Sequence, residues 1–196
     1  MAEEKIIYSG IIVIGGSAGS LEILLKVLPK VNPRLMIPVI VVIHRKATQD
    51  TSLTELLASR SALPVKEAEE KEQLLPGVVY LCPADYHLLI EKDHTVSLDY
   101  SEKVNFSRPS IDVTMQSAAE VYKNAATGIL LSGASVDGTE GLKAIFNENG
   151  YTVAQHPADA EVAYMPQQAI HAGVASRVLH RDELAQFINN LSPLFF

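Results

Sequence analysis

Two unbroken apolar runs stand out from an otherwise mixed pattern, Ile11-Ile12-Val13-Ile14 and Pro38-Val39-Ile40-Val41-Val42-Ile43. Continuous runs rich in β-branched residues, with no polar alternation, predict central strands covered on both faces. Between them Leu21, Leu24, Leu25 and Leu28 fall at helical spacing, and Pro29 with Pro33 closes that segment. Residues 51–60 read as a second helix with Thr51 or Ser52 as its cap. Strand, helix, strand, helix is the start of a parallel sheet. Between Pro64 and Tyr100 the texture changes to short runs, Val78–Leu81, His87–Ile90 and Thr95–Leu98, divided by polar turns, which predict antiparallel strands or hairpins. From Pro109 the earlier rhythm returns. A helix to about Lys123 leads to a strand at Gly128–Leu131, a helix over Thr139–Asn147, a strand at Tyr151–Ala154 and a last helix over about 182–191. The pattern predicts an α/β fold of three layers, doubly wound on a mostly parallel sheet, with an antiparallel hairpin region around 64–100.

Composition narrows this further. A chain of 196 residues, 47% hydrophobic and 20% charged, predicts one well-cored domain over residues 1–196. No stretch approaches the ~20 apolar residues of a membrane span, and Met1-Ala2-Glu3-Glu4-Lys5 lacks the basic flank and apolar centre of a signal peptide. A cytoplasmic protein without membrane insertion is expected. The single cysteine, Cys82, excludes an internal disulfide framework and agrees with a reducing compartment. A net charge of −7 with no basic stripe argues against nucleic-acid binding. The acidic run Glu67, Glu69, Glu70 and Glu72 reads as a solvated face.

The first strand runs straight into Gly15-Gly16-Ser17-Ala18-Gly19, a G-x-S-x-G turn with Ser17 at its tip, lifted toward the first amides of the next helix. A glycine-rich turn of this kind also cradles phosphates. A dinucleotide site, however, wants G-x-G-x-x-G and an acidic residue at the end of the second strand, where this chain has His44. The lysine of a P-loop is missing too. A serine nucleophile is therefore the better reading, and it needs a base held by a carboxylate. His44 ends the strand expected beside the first. The strand at 128–131 runs into Ser132-Gly133-Ala134-Ser135-Val136-Asp137-Gly138, a second glycine-flanked turn that delivers Asp137 to the same carboxyl edge. The order Ser, His, Asp is not that of the α/β-hydrolases, in which the histidine comes last; in that order His156 is the rival base.

These segments, in this order, resemble a known family. Gly15–Gly19, His44 after an apolar strand, Pro76-Gly77 with Pro83–His87, Arg108–Asp112, Ser132–Gly138 and Met165–Ala169 are similar to segments of the catalytic domain of the bacterial chemotaxis protein-glutamate methylesterases, from about Ile11 to Leu191. The resemblance implies an α/β domain with a Ser-His-Asp triad at Ser17, His44 and Asp137. It also implies oxyanion donors at Ala18 and in the Gly133-Ala134 turn, and neither metal nor organic cofactor. The implied substrate is a γ-glutamyl methyl ester on the signalling helices of a methylated chemoreceptor, cleaved to glutamate and methanol, with glutamine deamidation in some members. Arg108 is a candidate substrate-binding residue, its alternative being a bracing role.

The chain departs from the family pattern at Ala18, where threonine is usual, and at Ala134 and Val136, where the family carries Met and Asn. About ten residues precede the first strand, so an attached receiver domain is not expected, and regulation would fall to a separate receiver protein. A catalytically silent receptor-binding module of the same fold is the alternative that these changes motivate. Cys82, near His87, reads as a small buried apolar residue rather than a nucleophile, and His94, His171 and His180 show no metal-ligand spacing.

Overall fold

The computed structural model describes residues 10–46 and 51–191; the Met1–Lys5 lead-in, read above for a signal peptide, lies outside them. In chain order the elements are β1 (Ile11–Gly16), α1 (Ser20–Val27), β2 (Val39–Ile43), α2 (Ser52–Arg60), β3 (Val65–Glu67), β4 (Val79–Leu81), β5 (His87–Ile90), β6 (Val96–Asp99), α3 (Ile111–Tyr122), β7 (Ala126–Leu130), α4 (Thr139–Asn147), β8 (Tyr151–Gln155), α5 (Tyr164–His171), β9 (Arg177–Leu179) and α6 (Arg181–Leu191). Seven strands form one parallel sheet in the order β3-β4-β2-β1-β7-β8-β9, and β5 with β6 makes a separate antiparallel hairpin.

Alternate residues of a strand face opposite sides of its sheet, which explains the unbroken apolar runs. Ile11 and Val13 pack into one core with α3, α4, α5 and the hairpin, while Ile12 and Ile14 pack into a second with α1, α2 and α6. With helices on both faces, every position of β1 is buried. Each buried Val or Ile there contributes about 1.5–3 kcal/mol. No helix among the described residues is long and apolar enough to cross a membrane.

The chain leaves β1 toward β2 on one side and later returns to β7 on the other. Loops at the carboxyl ends of these strands therefore diverge, and a crevice opens at that edge. Register aligns the exits closely, since Gly16 pairs with Ile43 and Gly15 with Leu130. The residues that follow are Ser17, His44 and the loop after Leu131.

Two expectations are corrected by the structure, and β3 and α5 are elements that the sequence pattern did not predict. Val79–Leu81 joins the parallel sheet rather than a hairpin, because its amides find partners on Pro64 and β2. Its neighbour β3 is a three-residue edge strand too short to leave a pattern. Helix α5 was hidden by Pro166, which sits in its first turn, where a missing N–H costs no helical bond. The acidic run is more than a solvated face: Glu70 accepts the amide of Leu98 at 2.6 Å, and Glu72 takes both Lys66 and the amide of Glu69. These bonds tie the β5–β6 hairpin and the sheet edge together.

Candidate active site

The serine turn is locked by its own backbone. Ser17 donates its amide to Ser132 O at 2.9 Å, and its carbonyl accepts from the amide of Ser20 at 3.0 Å and the Ser20 hydroxyl at 2.6 Å. The carbonyl of Ala18 accepts from Ser132 Oγ at 2.7 Å. Ser132 is held in turn by Gln155, whose side-chain oxygen takes the Ser132 amide at 2.9 Å. The amide of Ala18 is left with no acceptor among the described residues. A fixed turn with one unspent N–H beside a serine is the geometry an oxyanion site requires.

Close approach of the second turn depends on Gly133. A Cβ at that position would lie 2.7 Å from Met165 Cε, 2.8 Å from its Sδ and 2.8 Å from Ser17 Cβ. The methionine can swing away, but Ser17 is fixed by its backbone bonds. Gly133→Ala should therefore cost about 1–3 kcal/mol of stability. By displacing Ser17 it should also slow any reaction that uses that hydroxyl as nucleophile about 10²-fold. Thermal melts and initial rates on the same preparation check both effects.

His44 directs Nε2 to Asp137 Oδ2 at 2.7 Å, while its own amide donates to Gly16 O at 3.1 Å beside the serine turn. With the Nε2 proton committed to the carboxylate, Nδ1 is the ring nitrogen left to act as a base. Asp137 is fully buried. Its Oδ1 accepts from Ser110 Oγ at 2.8 Å and the Asp112 amide at 3.1 Å, and Oδ2 also takes the Ile111 amide at 2.6 Å. Burial alone would raise its pKa. The bonds from His44, the two amides and Ser110 outweigh burial and hold the carboxyl below the ordinary carboxylate value.

Those donors belong to the N-terminus of α3, and α3 returns the favour through Asp112. This buried carboxylate accepts the amides of Gly138 at 2.8 Å and Gly141 at 2.7 Å, capping α4 just beyond Asp137. Each helix start thus binds an acid supplied from the other, which suits the positive end of both dipoles. Asn105 bridges the two, with Nδ2 2.9 Å from Asp112 Oδ2 and 3.5 Å from Asp137 Oδ1. His87, also buried, accepts the Ser110 amide on Nδ1 at 3.1 Å and donates from Nε2 to Glu102 O at 3.0 Å. Sequence reasoning passed over Asp112, Asn105 and His87 as working groups. An acid in the first turn of a helix is ordinary, and nothing in its spacing reveals that it caps a different helix.

Burial, and then the neighbouring Asp137, push the Asp112 carboxyl up to about 6. A carboxyl whose folded value is raised binds its proton more tightly when folded. Asp112 therefore stabilises the fold below the ordinary carboxylate value, and that contribution is lost as pH rises through about 6. Asp137, with its lowered value, acts in the opposite sense: its contribution disappears as pH falls through its folded value. Asp112→Asn keeps an acceptor for the α4 amides and removes one titration. Between about pH 4 and about pH 6.5 the variant should gain on the wild type by about 2 kcal/mol. Urea melts at the two pH values read this directly, and parallel pH profiles would contradict it.

Other candidates are placed differently. Gly133 spends its amide on Val162 O at 3.0 Å, so the second turn can offer Ala134 but not Gly133 as a donor. Arg108 directs Nε and Nη2 to Asp85 Oδ1 at 3.1 and 2.8 Å and Nη1 to Ser101 O at 2.7 Å, and its guanidinium lies 3.8 Å from the centre of the Tyr100 ring. It braces the wall of the cleft rather than projecting into it. His156 accepts the Ala158 amide and stacks on His180 at 4.0 Å, occupied away from Asp137. Cys82 is fully buried, and burial raises its pKa, so the thiol stays protonated. Ala18, Ala134 and Val136 are exposed at the edge that carries Ser17.

Strand order places the serine turn and the partly buried His44–Asp137 pair at one edge of an α/β domain, in a chain order that differs from that of the α/β-hydrolase fold. The family model described as CheB methylesterase matches residues 12–188. The chain belongs to the CheB methylesterase family, a family of ester-hydrolysing enzymes. A relative from Leptospira interrogans, provisionally named protein-glutamate methylesterase/protein-glutamine glutaminase, is 43% identical over 180 residues, 92% of this chain and 93% of the relative. Protein-glutamate methylesterase/protein-glutamine glutaminase 1 of Carboxydothermus hydrogenoformans is 39% identical over 183 residues, 91% of this chain and 54% of that protein. The crystal structure of the Thermotoga maritima CheB methylesterase catalytic domain superposes with a TM-score of 0.90 at 34% identity, covering 94% of this chain and all of that one.

Proposed function

We propose that this chain hydrolyses γ-glutamyl methyl esters on a methylated protein, with chemoreceptor signalling helices as the substrate and Ser17, His44 and Asp137 as the triad. The observation that carries the reading is the 2.7 Å bond from His44 to the buried Asp137, made by the residue whose amide anchors beside the serine turn. In the first half-reaction Nδ1 of His44 takes the Ser17 proton as Oγ bonds to the ester carbonyl carbon. Asp137 stabilises the imidazolium that forms. The negative oxygen is received by the Ala18 amide, with the Ala134 amide as second donor. When the tetrahedral species collapses, the methoxy group leaves as methanol with the proton from His44. Water, deprotonated by His44, then attacks the acyl carbon, and as the bond to Ser17 breaks His44 returns the proton to Ser17 Oγ, leaving the glutamate side chain on the protein. The same steps on a glutamine side chain would release ammonia, which is the reading we give to the second activity in the relatives' names.

Residues 12–188 act as one catalytic unit in this proposal, in the cytoplasm, with a separate receiver protein as the regulatory partner. No cofactor enters any step. The test is mass spectrometry of a methylated receptor fragment before and after incubation with the wild type. Conversion of γ-methyl glutamate to glutamate at the methylated positions supports the reading, and an unchanged fragment in the presence of folded protein overturns it.

A further inference from the structure

One residue beside the cleft is unfavourable to the fold in two ways at once. Val104-Asn105-Phe106-Ser107 forms a tight turn closed by Val104 N to Ser107 O at 3.1 Å and Ser107 N to Val104 O at 2.8 Å. Both central residues have positive φ, 49° at Asn105 and 62° at Phe106. Turns of this type favour Asn followed by Gly. Asn105 fits, and its side chain is anchored on Asp112 and Asp137. Phe106 does not, because a bulky side chain is rare in the left-handed region. Nor does burial compensate, since Phe106 is 98% exposed. A strained backbone carrying an unburied ring points to a use outside the fold.

Its position indicates that use. The turn borders a cleft of about 410 Å³ whose walls include His44, Lys46, Lys103 and Arg108. Arg108 is paired with Asp85, whereas Lys46 and Lys103 are exposed and form no ion pair among the described residues. This rim is basic on a chain whose net charge is −7. Charge complementarity therefore selects an acidic occupant.

We propose that Phe106 is a docking knob for an acidic helical segment of the methylated protein. Its ring seats against the aliphatic flank of the helix, while Lys46 and Lys103 face glutamates on either side of the ester. The inference rests on the functional reading above and deepens it by assigning the surface that selects the substrate. Asn105 links the knob to the carboxylate that holds His44, so docking and catalysis share one anchored turn.

The test uses a soluble, methylated chemoreceptor fragment and the Ser17→Ala variant, so that binding is read without turnover. Adding Phe106→Gly should weaken binding tenfold or more while the thermal midpoint holds or rises, because glycine relieves the left-handed strain. Lys46→Glu with Lys103→Glu should weaken binding further and flatten its salt dependence. Unchanged affinity on Phe106→Gly overturns the proposal. So does loss of binding that tracks a lowered thermal midpoint, or Phe106-dependent attachment to phosphatidylglycerol vesicles without attachment to the fragment. Wild-type hydrolysis of the fragment is followed in parallel. Hydrolysis with Phe106-independent binding overturns the docking role alone, whereas Phe106-dependent binding without hydrolysis supports docking and overturns the esterase.

Discussion

Ser17→Ala should lower ester hydrolysis by about 10⁴-fold or more, with the fold unchanged. The two halves of that expectation come from different atoms. The backbone of Ser17 is bonded through its amide to Ser132 and through its carbonyl to Ser20, and alanine keeps both bonds. Its hydroxyl makes no hydrogen bond among the described residues, so nothing buried is left unpaired by its removal. Stability should move by less than about 0.5 kcal/mol, while the only hydroxyl at the tip of the turn is gone. Initial rates and urea melts on one preparation separate the effects. A variant that keeps a tenth or more of the wild-type rate would remove Ser17 from the mechanism.

Asp137→Asn should be nearly as damaging to the rate, and in contrast to Ser17 it should also destabilise. One oxygen of the carboxylate accepts from His44 and the Ile111 amide, the other from Ser110, the Asp112 amide and Asn105. Whichever way an asparagine is turned, its NH₂ group confronts donors in a site from which water is excluded. The buried amides left without an acceptor should cost about 2–4 kcal/mol. His44 would lose the partner that fixes its tautomer, a change expected to lower the rate about 10⁴-fold. Retained activity at wild-type stability would show that the His44–Asp137 pair is not the orienting element.

The parts of this molecule legible from sequence are those where one physical demand dominates. Ile11–Ile14 and Val39–Ile43 had to be apolar throughout because helices cover both faces of the sheet. Their unbroken runs located the carboxyl edge, and with it Ser17, His44 and Asp137. Where two demands compete, the pattern fades. Val79–Leu81 has the texture of a hairpin strand, but its partners are chosen by neighbours distant in sequence. Helix α5 was masked by a proline that is harmless in a first turn. Asp112 is the plainest case, because a first-turn acid reads as a cap for its own helix and only the folded chain shows it binding α4. Gly133 and Arg108 show the same limit from the other side: their residue types suited a donor role, yet their donors are spent on Val162 and Asp85. Chemistry at a site is set by which donors remain unspent, and that is a property of the folded structure.

The central claim is that Ser17, activated by His44 while Asp137 orients the imidazole, releases methanol from a methylated protein. Its most direct test is to incubate wild type and Ser17→Ala, each shown to be folded, with membranes carrying radiomethylated chemoreceptors, and to count volatile methanol over time. The account predicts steady release by the wild type and background counts for the variant. Equal release from both, or none from a folded wild type, would contradict it.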